Sequence, residues 1–334
     1  MRKSHGSHNT SGAQLMIDHV PCQTDAAKRS VALVLGAAGF IGRHVSLEFA
    51  CNGWLVKGVG HGDWNDDEQA AWGITRWTRA DISLESLEAA IENSAPSVIV
   101  HCAGNGSVAT AYSQPYGAFD KTVGSTASAL EFARTHGRPG CRVVLISSAA
   151  VYGDQGEVDC TEASTRSPIS PYGFNKVAAE TACDSYSRFF GVPCSVVRLF
   201  SVYGEGLKKQ LLWDALGKLS RGEYTFFGTG HELRDWIHVE DASRLLFLAA
   251  TQPQSDFDIY NAGNAHATTR DVLIQLSRAA GSEILPSFNG ETHVGNPRRL
   301  TANCKHSRWQ LDWLPRIDLA EGLNRYAKWH LEQS

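Results

Sequence analysis

The chain has 334 residues, 43% of them hydrophobic, which is enough apolar surface for one large domain or two modest ones. Its 31 basic and 35 acidic residues leave a net charge of −4, and no block of Lys or Arg gives the electrostatic footprint of a nucleic-acid or membrane-surface binder. No apolar run approaches the roughly 18 residues of a membrane helix, and the first residues lack the pattern of a secretory signal.

In chain order, a polar tail reaching Lys28, with His5 and His8 in it, is expected to be disordered. An apolar segment from Val31 to Leu35 then leads through a glycine loop into helical character from Gly42 to Ala50, and a second apolar run follows from Trp54 to Val59. The same signature returns at Val98 to His101, Val143 to Ser147 and Cys194 to Leu199. Fully apolar rather than alternating strands imply a parallel sheet buried on both faces. Helices are predicted between them at Leu84 to Glu92, Thr122 to His136 and Val177 to Phe190, and this alternation predicts a doubly wound α/β sheet. Beyond Gly204 the elements become short and mixed. Helices are expected near Leu211 to Arg221, from about Asp241, and from Leu319 to His330, which reads as a smaller substrate-binding lobe. The expected organisation is therefore a tail over 1–28, a mainly dinucleotide-binding domain over 29–204 and a mainly substrate-binding lobe over 205–334. Eight cysteines, Cys22, Cys51, Cys102, Cys141, Cys160, Cys183, Cys194 and Cys304, contain no C-x-x-C pair. They read as reduced thiols with no metal site, as in a cytoplasmic protein.

The loop Gly36-Ala37-Ala38-Gly39-Phe40-Ile41-Gly42 follows a strand and opens a helix. In that context its glycines let the backbone approach a pyrophosphate, and the helix N-terminus supplies free N–H groups, as in a Rossmann-type fold. NAD-preferring folds place an acid near the end of the second strand to bind the ribose. Here the strand ends on Gly60-His61-Gly62-Asp63. Asp63 could serve, or His61 could accept the 2′-phosphate of NADP, so NAD and NADP both stay open. In Ala80-Asp81-Ile82, Asp81 is a candidate adenine contact, with Ile82 beside it; the alternative for Asp81 is a helix N-cap.

Tyr172 and Lys176 are four apart in Pro171-Tyr172-Gly173-Phe174-Asn175-Lys176, which puts both on one helix face. A phenol is a poor base at neutral pH, but an adjacent ammonium and an oxidised nicotinamide would favour the phenolate. Upstream, Ser147 and Ser148 end a strand, where a hydroxyl can bond the reacting oxygen.

With these residues in this order, the chain resembles the extended short-chain dehydrogenases/reductases of the NAD-dependent epimerase/dehydratase family, over roughly Val31 to His330, and is most similar there to the UDP-galactose (UDP-glucose) 4-epimerases. The resemblance implies a nucleotide-sugar substrate, a dinucleotide and a homodimer built through the helices at Thr122 to His136 and Tyr172 to Phe190. It assigns catalysis to Ser148, Tyr172 and Lys176, with Ser147 packing at the strand end. It also implies cofactor contact at Ala103 in His101-Cys102-Ala103-Gly104, and a diphosphate grip by Arg234, a role suited to a guanidinium. Three positions depart from the family's pattern. Ser201 and Thr122 stand where Asn is usual, and His293 stands where an Arg is usual, leaving Arg298 or Arg299 as a substitute.

Dehydratases of this family carry Thr-Asp-Glu at the active strand end, whereas Ser148-Ala149-Ala150 stands here. That favours 4-epimerisation: oxidation at C4, turning of the keto-sugar, and hydride return. A 4-keto-6-deoxy nucleotide-sugar reductase is the alternative, and a catalytically idle dinucleotide-binding protein is a further one.

Overall fold

The computed structural model describes residues 29–333 other than 93, 293, 294 and 296. The predicted tail and Cys22 lie outside the described residues, and the seven other cysteines are free thiols. Seven strands form one parallel sheet: β1 (Val31–Leu35), β2 (Leu55–Gly60), β3 (Ile74–Arg79), β4 (Val98–His101), β5 (Arg142–Ser148), β6 (Cys194–Leu199) and β10 (Phe257–Ala262). Their spatial order is β10-β6-β5-β4-β1-β2-β3. Strand order reverses between β1 and β4, so their carboxyl ends splay apart and open a crevice, the place where such sheets bind ligands.

The apolar strands bury side chains on both faces because helices cover both. Ala32 and Val34 of β1 join one cluster with residues of α1 (Phe40–Cys51) and α9 (Val239–Thr251), such as Val45, Phe49, Leu245 and Leu246. Leu33 and Leu35 join the other, with Leu87 of α3 (Leu84–Ile91), Leu130 of α6 (Ser125–His136) and Ala179 of α7 (Pro171–Phe190). Local chemistry sets the helix ends. Ser83 and Ser86 form a reciprocal capping box that starts α3. Ser170 caps α7, Pro171 fills its first turn, and Gly191 ends it with φ 66°.

Three differences from the sequence reading matter. Helix α7 begins at Pro171 rather than Val177, which places Tyr172 and Lys176 inside it. The helix expected from Thr122 is the last part of a longer run: α4 (Val108–Ser113), α5 (Pro115–Phe119), a π-helical turn over Asp120–Gly124, then α6. The third is that α9 and β10 return to the large sheet, so residues past Gly204 are shared between it and the smaller lobe.

That lobe holds β7 (Ser201–Tyr203), α8 (Gln210–Leu219), β9 (Leu233–His238), β11 (Ala265–Thr268), α10 (Thr269–Ala279), β13 (Arg299–Leu300) and α12 (Leu319–Gln333). Strand β9 pairs with β7, β11 and β13. Leu212, Leu216, Trp236, Leu273, Leu323 and Tyr326 form the lobe's own core. No helix among the described residues is long and apolar enough to cross a membrane.

Candidate active site

A cleft of about 1770 Å³ runs from the glycine loop, over the carboxyl ends of β4, β5 and β6, into the smaller lobe. At one end, close packing shows why the loop carries glycines. A Cβ on Gly36, whose φ is +80°, would sit 2.8 Å from the Ala103 amide nitrogen, and one on Gly42 would sit 2.1 Å from the Gly36 carbonyl oxygen. The loop is thus pressed against the segment that follows β4 and the first turn of α1, and no side chain on Gly39 caps that helix. Gly36, Gly39, Phe40, Ile41, Gly42 and Ala103 all line the cleft, as a pyrophosphate cradle requires. The residues present therefore fit a dinucleotide.

The ribose end differs from expectation. Strand β2 ends on Gly60, tightly packed against Trp77 and Gly36 (a Cβ would lie 3.3 Å from each), and the strand end carries no carboxylate. His61 follows and meets Asp81 at 2.8 Å, and His61, Asp81 and Ile82 line the cleft. Asp81 is not the N-cap, since Ser83 takes that role. Asp63 instead pairs with Arg79 outside the cleft.

At the centre, α7 brings Tyr172 and Lys176 against the end of β5. The Tyr172 hydroxyl faces the Ser148 hydroxyl. The Lys176 ammonium donates to the Ile146 carbonyl at 2.8 Å and lies 5.9 Å from the centre of the Tyr172 ring. Burial raises the Tyr172 phenol, opposed by the Ser148 hydrogen bond. Burial also lowers Lys176 to about 8, while Glu180 works to raise it. Ser147 and Ser148 point to opposite sides of the strand. Ser148 is half-exposed, while Ser147 is buried and donates to Glu180 Oε1 at 2.6 Å.

Thr122 keeps a structural link at its position. Its side-chain oxygen accepts from the Asn105 amide at 3.4 Å, tying the π turn to the loop after β4. In the smaller lobe, Ser201 and Arg234 line the cleft. Arg234 donates to the carbonyls of Leu233 (2.8 Å) and Pro297 (2.7 Å), which aims the guanidinium along the cleft wall. Arg298 does not line the cleft. It is exposed just before β13, and its carbonyl serves the backbone by accepting from Leu233 N. Arg299 is committed to Asp159 at 2.6 Å, so neither arginine fills the place of the usual second one. His293, which occupies that place in sequence, is outside the described residues.

Two contributors escaped the sequence reading. Lys209, at the start of α8, lines the cleft and reaches the loop after β4, where a Cβ on Gly106 would lie 3.4 Å from its ammonium. Glu180 lies beneath Lys176. It falls four residues after Lys176, a spacing that was the available signal.

The profile of the NAD-dependent epimerase/dehydratase family matches residues 32–263. A UDP-glucose 4-epimerase of Mycolicibacterium smegmatis is 28% identical over 90% of this chain and 99% of its own. A UDP-glucuronate 4-epimerase of Thermodesulfobacterium geofontis is 25% identical, over 90% of this chain and 96% of its own. Among solved structures, MoeE5 in complex with UDP-glucuronic acid and NAD superposes with a TM-score of 0.81 at 28% identity, over 91% of this chain and 100% of that one.

Proposed function

The chain belongs to the NAD-dependent epimerase/dehydratase family, and we propose that it is a UDP-sugar 4-epimerase that keeps its NAD bound through the cycle. The observation that carries this reading is the strand end itself: Ser148, Tyr172 and Lys176 converge, and Ala149 and Ala150 stand where a dehydratase needs an acid and a base. The relatives named for UDP-glucose and UDP-glucuronate support the substrate class.

In this reading Tyr172 takes the proton of the sugar C4 hydroxyl and later returns it, and Ser148 holds the same oxygen in line. Lys176 serves twice: its charge favours the phenolate, and its position in the cleft suits the nicotinamide ribose. When bound, the oxidised nicotinamide supplies the hydride acceptor and a second positive charge. Gly36, Gly39 and Gly42 cradle the pyrophosphate, with Phe40, Ile41, Ile82 and Ala103 along its path. Arg234 and Ser201 hold the substrate, Arg234 at the diphosphate. NAD rather than NADP is favoured by the carboxylate of Asp81 beside His61, which would repel a 2′-phosphate.

We further infer a homodimer. Tyr112, Tyr116 and Phe119 on α4 and α5 and Phe174 on α7 are exposed aromatic side chains, and these helices pack together. Light scattering on the purified protein should give twice the chain mass, reduced to one by Tyr116→Asp with Phe174→Asp.

The test of function is to denature the purified protein, identify released dinucleotide by mass spectrometry, and assay UDP-glucose and UDP-glucuronate for C4 inversion. Stoichiometric NAD with inversion of either sugar is expected. An empty protein that oxidises NADPH against a 4-keto-sugar, with no inversion, would overturn the proposal in favour of a reductase.

A further inference from the structure

Tyr172, Lys176 and Glu180 stand at successive fourth positions of α7 and so form one ladder facing the end of β5. Each rung meets that strand end: Tyr172 at Ser148, Lys176 at the Ile146 carbonyl, and Glu180 at the Ser147 hydroxyl. Glu180 is 1% exposed and is gripped from β6 by Arg198, Nε to Oε1 at 2.9 Å and Nη2 to Oε2 at 2.7 Å. Arg166 adds a longer contact at 3.4 Å. Arg198 is itself held by the Tyr152 hydroxyl at 2.9 Å and the Glu162 carbonyl at 3.0 Å, and Tyr152 by Asn261 of β10 at 2.6 Å. Two buried, oppositely charged groups fixed this way form a rigid charge pair directly behind the cleft.

Resting on the functional reading above, we propose that Glu180 is a positioning residue of the hydride-transfer site. Clamped by Arg198 and Ser147, its carboxylate keeps Lys176 charged and registers α7 against the strand end that carries Ser148. The groups around Lys176 leave this task to Glu180. From the end of β4 comes His101, whose burial lowers it to about 4 and leaves it neutral, and from the residue after it Cys102, whose burial holds the thiol protonated. From β5 comes a carbonyl, and from α7 itself comes the Tyr172 phenol. Arg198 reaches Glu180 from β6 and pairs with both of its oxygens. Among the described residues, Glu180 is the carboxylate whose charge acts on Lys176.

The test is competitive labelling of Lys176 with acetic anhydride across pH, read on its peptide by mass spectrometry, in wild type and Glu180→Gln. It needs no turnover. The wild-type midpoint is expected at about 8. In Glu180→Gln it should fall by on the order of one pH unit, so that the charged fraction at pH 8 drops about fivefold. Where Glu180→Gln does not fold by circular dichroism, Glu180→Gln with Arg198→Met, which leaves no lone buried cation, should still lower the midpoint, though by less, because a cation leaves together with the carboxylate. A folded variant with the wild-type midpoint makes Glu180 purely structural and overturns the proposal, whatever its turnover. A shifted midpoint in a protein that inverts no sugar sinks the epimerase reading and leaves this one standing.

Discussion

Gly42→Ala isolates the claim that the glycine loop is a phosphate cradle rather than a tight turn. The new Cβ would lie 2.1 Å from the Gly36 carbonyl oxygen and 2.8 Å from the Gly36 carbonyl carbon. Unstrained heavy atoms sit about 3.5 Å apart, so the loop must move by more than about 1 Å. It has little freedom to do so, because Gly36 donates to the Val59 carbonyl at 2.7 Å and Gly39 to the Gly36 carbonyl at 2.9 Å. Crowding of this kind costs roughly 1–3 kcal/mol of stability. The same displacement pulls the loop amides off a pyrophosphate. Losing one or two charge-assisted hydrogen bonds, at about 1.5–3 kcal/mol each, weakens binding at least tenfold and up to about 10⁴-fold. The assay is titration of apo protein with NAD followed by tryptophan fluorescence, with thermal unfolding in parallel. An NAD affinity within threefold of wild type, in a variant that melts lower, would refute the cradle.

Four further outcomes follow from the same geometry. Tyr172→Phe should lower turnover by about 10²–10⁴-fold while NAD affinity stays within a few-fold, since only the proton carrier is removed. Activity should decline above about pH 8, because Lys176 loses its proton there and with it the charge that favours the phenolate; a profile flat to pH 9.5 contradicts this role. Arg198→Met should cost about 3–5 kcal/mol in denaturant unfolding by stranding Glu180, and adding Glu180→Gln should recover much of the loss. Burial lowers His44 and His101 from 6.5 to about 4, so the unfolded chain binds protons first as the pH falls. Stability should therefore drop between pH 6.5 and 4, and an unchanged melting temperature at pH 5 would count against it.

The parts of the site legible in the sequence were those whose meaning is local. The spacing of Gly36, Gly39 and Gly42 after an apolar run, and of Tyr172 before Lys176, encodes geometry within a single turn or loop. Glu180 was readable as a helix position but not as a partner, because Ser147 and Arg198 reach it from neighbouring strands. β10 escaped for a different reason. As an edge strand, its segment Phe257-Asp258-Ile259-Tyr260-Asn261-Ala262 is interrupted by the polar Asp258 and Asn261, unlike the apolar run of the central strands. Arg298 misled because a cation near a family landmark looks the same in sequence whether its side chain or its carbonyl faces inward.

The return of β10 to the large sheet has a consequence for synthesis on the ribosome. Chains emerge N-terminus first, and β6 is complete at Leu199, whereas its outer neighbour ends at Ala262. Until then the nascent sheet ends on an apolar strand with an open row of amides and carbonyls, the kind of edge that recruits other chains. Tyr260 and Asn261 close that edge, and Asn261 joins it to Tyr152 beside α7. Chaperone demand should therefore be greatest while the segment from Leu199 to Ala262 is being made.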